Sequence, residues 1–483
     1  MSAAIGDMRG TAGADPPPNG GNSLKSRVAG RLRELLHPGQ FSRGVLALIA
    51  GTGAGQVVVL VTSPIITRLY GPLDFGVYAF ATSVLGILIA VSCLAYDNAI
   101  PLPQSDDEAA NVLALCLALA TVFGIASLLV LLVAGPTLLA LLGASMLAPL
   151  VVLLAVGQLG GAVVGVFRKW AIRTRSYGEI AANQLVQTAT LALVQIWLGM
   201  SGAGAPGLVA GAVAGSAVGS GRLGRVAWSS HAASFRRTSP RGVRIAASRY
   251  RRFPTLAAPS ALLNAFGLQM PLFMIVALYG AAIGGEFALA QRVAALPATL
   301  ITGAVGQVYF AEAAALLRRD ADLRGVFART TRSVAAVAVG PIAVIGVVSP
   351  FVFGPVFGED WRQAGIFVAI LAPMYYVYFV SNPTGNTLDV LQRQDLTLVR
   401  ETLRIALLAG AAMIAALAHL PPEYGVAAIS IAGCVTYVVY GGLSWIAIIV
   451  AHNKRASAAV VSAAVEPGEG AAAMDNPEQL GLQ

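Results

Sequence analysis

Gln291 and Arg292 lie inside an apolar run at 284–310. At helical rise, Arg292 is about two turns from the nearer end, too deep to snorkel easily to the membrane surface. An ionised side chain at that depth costs at least about 2.5–3.5 kcal/mol on insertion scales, so it must face a wet cavity or a partner. Its planar fork suits a phosphate or similar anionic headgroup; an acid such as Asp97 or Glu286 is the alternative. Arg68, ending the run 44–67, either joins an anion site or snorkels to the interface, and for Arg404, one turn inside the run 400–418, snorkelling is the simpler account. Asp74, Asp97 and Glu286, with Asp389, are acids near the membrane that either carry a coupling proton or cation or cap helix ends.

Polar stripes accompany these charges. Thr52, Gln56, Ser63 and Thr67 fall within roughly a 60° arc of one helix at 3.6 residues per turn. Ser260, Asn264, Gly267 and Pro271 form a similar stripe in the run 254–279, and Gln184, Gln187, Thr188 and Gln195 one in the run 180–199. Such stripes line a cavity or glue helices together. Pro64 and Pro271 favour the cavity reading for the first two, because each adds a kink at a similar depth.

Other chemistries find no support in the residues. Cys93, Cys116 and Cys434 sit in apolar runs without the spacing of a zinc or disulfide framework. His37, His231, His419 and His452 form no ligand cluster with them, so neither a metal nor another cofactor is expected. There is no Walker-type phosphate loop and no set of nucleophile, base and orienter.

What positions Arg292 is a bilayer-spanning bundle. Of 483 residues, 57% are hydrophobic and 11% charged, with a mean hydropathy of +0.73; an ordinary soluble domain carries about 25% charge. No single aqueous core buries that much apolar surface. Spans of about 20 residues are predicted at roughly 44–67, 74–96, 110–135, 146–167, 180–199, 205–221, 254–279, 284–310, 333–353, 363–382, 400–418 and 425–450. The fold class is therefore an all-α polytopic membrane protein of about twelve helices.

With a cytoplasmic N-terminus, 28 of the 32 Lys and Arg fall on the inner side, Arg68 and Arg362 on the outer side, and Arg292 and Arg404 within helices. That bias places both termini in the cytoplasm. The net charge of +9 then reports topology rather than nucleic-acid binding. One inner segment, 97–108, dissents with four acids and no base, but acids count little in that rule. The outer loops are about ten residues or fewer, which disfavours a membrane polymerase or ligase and favours a transporter.

Leu69, Tyr70, Gly71, Gly76, Tyr78 and Ala79 reappear, at an offset of 209 and without gaps, as Leu278, Tyr279, Gly280, Gly285, Phe287 and Ala288. Six spans separate the copies, so the repeat is parallel: two six-helix lobes related by an axis along the membrane normal, with substrate between them. The organisation expected is a polar segment 1–43, a first lobe 44–221, a basic cytoplasmic loop 222–253, a second lobe 254–450 and a disordered tail 451–483. The basic loop either hugs anionic lipid or only fixes topology.

The stretch Pro64 to Ala110 resembles the N-terminal signature of the polysaccharide biosynthesis protein family, the Wzx-type oligosaccharide flippases of the multidrug/oligosaccharidyl-lipid/polysaccharide exporter superfamily. The matching residues are Thr67 to Tyr78, the run Ala99 to Pro103 and the acids Asp106 to Glu108. Gly284 to Ile301 is similar to the family's eighth-span segment. The resemblance implies a two-lobed, MATE-like exporter in a bacterial plasma membrane. Its implied substrate is an undecaprenyl-diphosphate-linked oligosaccharide for exopolysaccharide, O-antigen or capsule synthesis, with a polymerase and glycosyltransferases as further partners beside membrane lipids. A cation-coupled multidrug exporter of the related family and a scaffold that recruits glycosyltransferases through the basic loop are the rival readings.

Overall fold

The computed structural model describes residues 40–133, 137, 145–319, 321–391 and 393–465. Its described residues hold no strand and twelve α-helices longer than one turn: α1 Gln40–Leu69, α2 Pro72–Ser92, α3 Asp106–Val133, α4 Val151–Arg173, α5 Tyr177–Met200, α6 Gly204–Arg236, α7 Pro240–Arg249, α8 Ala258–Arg318, α9 Arg324–Phe357, α10 Arg362–Ser381, α11 Gln394–Leu417 and α12 Pro422–Val465. The seventh and eighth predicted spans are the two arms of α8. Its backbone leaves helical geometry at Gly280, with φ 86° and ψ 173°, a conformation open to glycine. The equivalent turn in the first half is made differently, by an extended Gly71 and by Pro72 at the first helical position, where no backbone donor is lost.

Among the described residues, seven stretches are long and apolar enough to cross a membrane by length and composition. One of them, Phe253–Ala298, includes parts of both arms of α8. The other spanning-length helices are more polar: α5 carries Asn183, Gln184, Gln187 and Gln195, and α11 carries Arg400, Glu401 and Arg404. Polar positions on α5 are used as glue. Gln195 donates to the Leu208 carbonyl of α6 at 2.9 Å, and its own carbonyl accepts from the Tyr70 hydroxyl at 2.7 Å.

Helices α1 to α6 pack on one another, as do α8 to α12, and the two lobes meet mainly along α2 and α8. The seam is built from the repeat itself. A Cβ at Gly76 would overlap the Ala281 carbonyl, and one at Gly285 would overlap the Pro72 carbonyl. Position 281 is the repeat equivalent of 72, and 285 of 76, so each copy makes the same contact with the other. More bridges cluster at this end, the turn face: Trp361 Nε1 donates to the Thr67 carbonyl at 3.0 Å, and the Phe75 and Trp361 rings lie 4.9 Å apart. Deeper in, Phe80 meets Phe273 at 4.9 Å and the Ser83 hydroxyl donates to Gln269 Oε1 at 3.0 Å. A buried apolar cluster containing Ile66, Tyr70, Phe75, Leu272, Phe287 and Trp361 spans both lobes here.

At the opposite end, the linker face, the segment 222–253 is not a loop. Helix α6 continues to Arg236, with a kink at His231, and α7 follows with the Ser239 hydroxyl accepting from Gly242 N at its start. This segment docks on the acidic stretch of the first lobe. Arg237 pairs with Asp107 at 3.1 Å and Arg249 with Glu108 at 2.7 Å, while Arg173 of α4 pairs with Asp106 at 2.9 Å. Tyr96 donates to the Ala247 carbonyl and Tyr250 to Glu108. Burial, and then the nearby Glu108 carboxylate, push the Tyr250 hydroxyl above the ordinary tyrosine range, which keeps it a donor. Of the acids that run against the charge rule, Asp107 and Glu108 are thus counter-charges of the basic linker and Asp106 one of α4. Helix α12 runs on to Val465, so the expected disordered tail is helical over 451–465, and the rest of it lies outside the described residues. The expected segment 1–43 lies outside them up to residue 39, and α1 begins at Gln40.

Candidate functional site

A cavity of about 270 Å³ opens between the lobes. Phe75, Tyr78, Ala79, Thr82 and Ser83 of α2 line one wall; Gln269 and Leu272 from the first arm of α8, with Ala288, Leu289, Gln291 and Arg292 from the second, line the other. Both walls are helix faces, since 75, 78, 79 and 82 repeat at three- and four-residue spacing, as do 288, 291 and 292. The seam at Gly76 and Gly285 lets the backbones approach within one helical turn of Phe75 and Ala288 of the lining.

Arg292 is the only charged residue in the lining. At 1.5 Å per residue it stands roughly 18 Å along its helix from Gly280, near the middle of a hydrocarbon core about 30 Å thick. Its guanidinium has no hydrogen bond and no ion pair among the described residues, and neither Asp97 nor Glu286 neutralises it. Around it stand Tyr78, Thr82, Ser83, Gln269 and Gln291, groups able to donate to or accept from a polar headgroup. Its volume is of headgroup size, just below the roughly 300–1,000 Å³ of pockets that take drug-sized ligands.

The other expected residues lie elsewhere. Arg68 is exposed at the end of α1, its Nη2 3.5 Å from the Pro355 carbonyl of α9, so it bridges the lobes at the turn face rather than lining the cavity. Ser63 is buried and donates to the Val59 carbonyl of its own helix at 2.6 Å. Gln56 is half-buried and outside the lining, and the Thr52 side chain lies outside the described residues. Ser260 and Asn264 are exposed on the linker-face half of α8. Asp74 Oδ1 accepts from Ala205 N at 2.9 Å and so caps α6, a use that takes up the carboxylate. Asp97 sits in the short turn Tyr96–Ala99 at the linker face. Glu286 is 7% exposed, on a face of α8 outside the lining, and its Oε2 has no hydrogen-bond partner among the described residues. Glu423, within electrostatic reach of it, accepts from Gln363 at 2.8 Å.

Arg404 is the clearest departure from expectation. Instead of snorkelling it is 6% exposed, paired with Glu401 at 2.6 Å, and its Nη2 donates toward the Asn264 carbonyl at 3.3 Å. Arg400 shares the same carboxylate at 3.0 Å. The spacing of 401 and 404 carried the signal, because positions i and i+3 on a helix meet. The α2 wall was not anticipated either. Aromatic and small residues at helical spacing read equally well as ordinary packing.

A family model described as polysaccharide biosynthesis protein matches residues 65–365. No curated protein matches the chain. Among solved structures it resembles an inward-facing multidrug resistance MATE family transporter of the MOP superfamily, with 16% identity, a TM-score of 0.58 and coverage of 84% of this chain and 95% of that one. A MOP superfamily transporter from Pyrococcus furiosus gives 15% identity and a TM-score of 0.56 over 86% of this chain and 98% of the other. A MATE protein solved in complex with MaL6 gives 14% and 0.58 over 87% and 99%. At these identities the likeness establishes the fold alone.

Proposed function

Because the chain belongs to the polysaccharide biosynthesis protein family, we propose that it is an exporter that moves an undecaprenyl-diphosphate-linked oligosaccharide across the bacterial plasma membrane by alternating access. The observation that carries this reading is the unpaired Arg292 guanidinium, held near mid-membrane in a cavity between two repeat-related lobes. A diphosphate suits it, since charge-assisted hydrogen bonds to a guanidinium fork are the strong ones. The excess of Lys and Arg on the linker face supports a cytoplasmic position for that face. On this reading the close approach of the lobes at Gly76 and Gly285 shuts the turn face, and substrate enters from the inner leaflet. Glu286 remains the candidate for a coupling proton, since Asp74 caps a helix and Asp97 lies at the linker face.

A multidrug exporter of cationic compounds shares the fold, but a cavity whose only charge is Arg292 repels such cargo. Reconstitution in liposomes holding an undecaprenyl-diphosphate oligosaccharide tests the proposal, with exposure of the sugar to an external glycosidase as the readout. Wild-type protein is expected to expose the sugar, and Arg292→Ala to slow exposure by about 10- to 100-fold, the loss of about 1.5–3 kcal/mol of charged hydrogen bonding. Equal rates for both proteins would remove Arg292 from the site, and no exposure by wild type would overturn the function.

A further inference from the structure

The cavity at Arg292 accommodates a headgroup, so the sugars of the cargo need a second surface, and the second lobe contains one that matches. Tyr375 and Tyr378 of α10 and Tyr437 and Tyr440 of α12, each pair three residues apart and so on one helix face, form a continuous ladder. Successive ring centroids are 6.1, 5.1 and 5.6 Å apart. All four side chains are only partly buried. The hydroxyls of Tyr375, Tyr378 and Tyr437 have no hydrogen-bond partner among the described residues, although a hydroxyl inside a membrane bundle is costly unless it meets water or a ligand.

The ladder ends on charge. The Arg400 guanidinium lies 4.5 Å over the Tyr440 ring, and the Tyr440 hydroxyl donates toward Glu401, which also holds Arg400 and Arg404. Arg404 Nε is buried without a hydrogen-bond partner among the described residues, and Nη2 points at Asn264. At 1.5 Å per residue, Tyr375 stands roughly 20 Å along α10 from its turn-face end and Tyr440 roughly 27 Å along α12. The ladder therefore starts near the depth of Arg292 and runs toward the linker face, the side from which cargo enters.

Aromatic faces edged by hydroxyl, carboxylate, guanidinium and amide groups fit a ligand that is apolar on its ring faces and polar around its rim, which describes a pyranose. A polyprenyl chain would leave the three free hydroxyls unpaired. A bare diphosphate would leave the ring faces without a partner, and the triplet's charge is already largely spent within itself. We propose that Tyr375, Tyr378, Tyr437 and Tyr440, closed by Arg400, Glu401 and Arg404, form the glycan-binding subsite of the second lobe, separate from the diphosphate position at Arg292. This inference rests on the flippase reading above.

Its test compares binding of two probes to the full-length protein in nanodiscs: undecaprenyl diphosphate without sugar, and undecaprenyl diphosphate carrying a glucose-initiated tetrasaccharide. Wild type is expected to bind the sugar-bearing probe at least tenfold more tightly than the bare one. Tyr378→Leu and Tyr437→Leu are expected to erase that preference while leaving the bare lipid within twofold, and Tyr378→Phe, which keeps the ring, to retain most of it. Arg292→Ala should weaken both probes together. Equal binding of the two probes by wild type, or equal weakening of both by the tyrosine variants, would overturn the subsite and leave the flippase reading standing; binding of neither by wild type would overturn both. Unfolding temperatures identify a variant that misfolds, in which case Tyr378→Phe with Tyr437→Phe, expected to cost the sugar-bearing probe alone about threefold, decides the matter.

Discussion

The two lobes share a repeat and a packing plan, yet they handle charge in opposite ways. In α1 to α5 the charged residues sit in the first or last two turns, and those of α6 begin at Arg222. They are used locally: Asp74 caps α6, Glu179 pairs with Arg222 at 2.6 Å, and Asp106, Asp107 and Glu108 each hold an arginine at the linker face. The second lobe carries Glu286, Arg292, Glu401 and Arg404 inside its helices. Buried polar contacts of the first lobe are neutral, as in Gln158 donating to the Ser92 hydroxyl at 2.6 Å. One lobe is framed by neutral hydrogen bonds, and the other holds ionic groups within its helices. Intramembrane charge is expensive enough that it persists where it meets a partner or a ligand.

The strongest way to break this comparison is to remove the carboxylate of the second lobe. Glu401→Gln leaves Arg404 buried without a counter-charge and is expected to destabilise the protein by about 3–5 kcal/mol, read as a lower unfolding temperature in detergent. A loss below about 1 kcal/mol would mean that water reaches the triplet and that the lobes differ less than their burial suggests. Next in size are Gly76→Val and Gly285→Val. Each forces a side chain against a facing carbonyl, with an expected cost of about 1–3 kcal/mol. Spin labels across the turn face should report the same opening for both variants, because the contact is reciprocal; an effect confined to one would show that the repeat has lost its symmetry there. The smallest effect is expected for Asp107→Asn, which removes an exposed ion pair of the kind that contributes little. Its unfolding temperature should stay at the wild-type value, and a clear drop would make the linker dock part of the frame.

The bundle, the offset of 209 and the depth of Arg292 were legible because each is written in local order: apolar runs, a gapless motif and one charge within a run. The pairing of Arg237 with Asp107 and of Arg249 with Glu108 was not, since the partners are more than a hundred residues apart and the charges of each segment read alone as topology or repulsion. Arg404 was misplaced for a related reason. Its distance from the helix end allows snorkelling, and only the packing of Asn264 and Gly267 against it shows that the side chain turns inward. The polar stripe of α1 lost much of its promise in the same manner, because Ser63 satisfies its hydroxyl on its own helix. The tyrosine ladder escaped notice because its two halves come from α10 and α12, and neither half alone differs from a packed aromatic pair.

The crossing of Gly76 with Ala281 and of Gly285 with Pro72 also says something about ancestry. Contacts in which each partner offers the same patch to the other are those of a two-fold homodimer. A six-helix half-chain that met its own copy through this turn would close the same seam without any linker. Fusion then adds no new contact at the seam: it raises the local concentration of one half around the other and guarantees one of each, so the two copies became free to diverge without ever having to recognise themselves again.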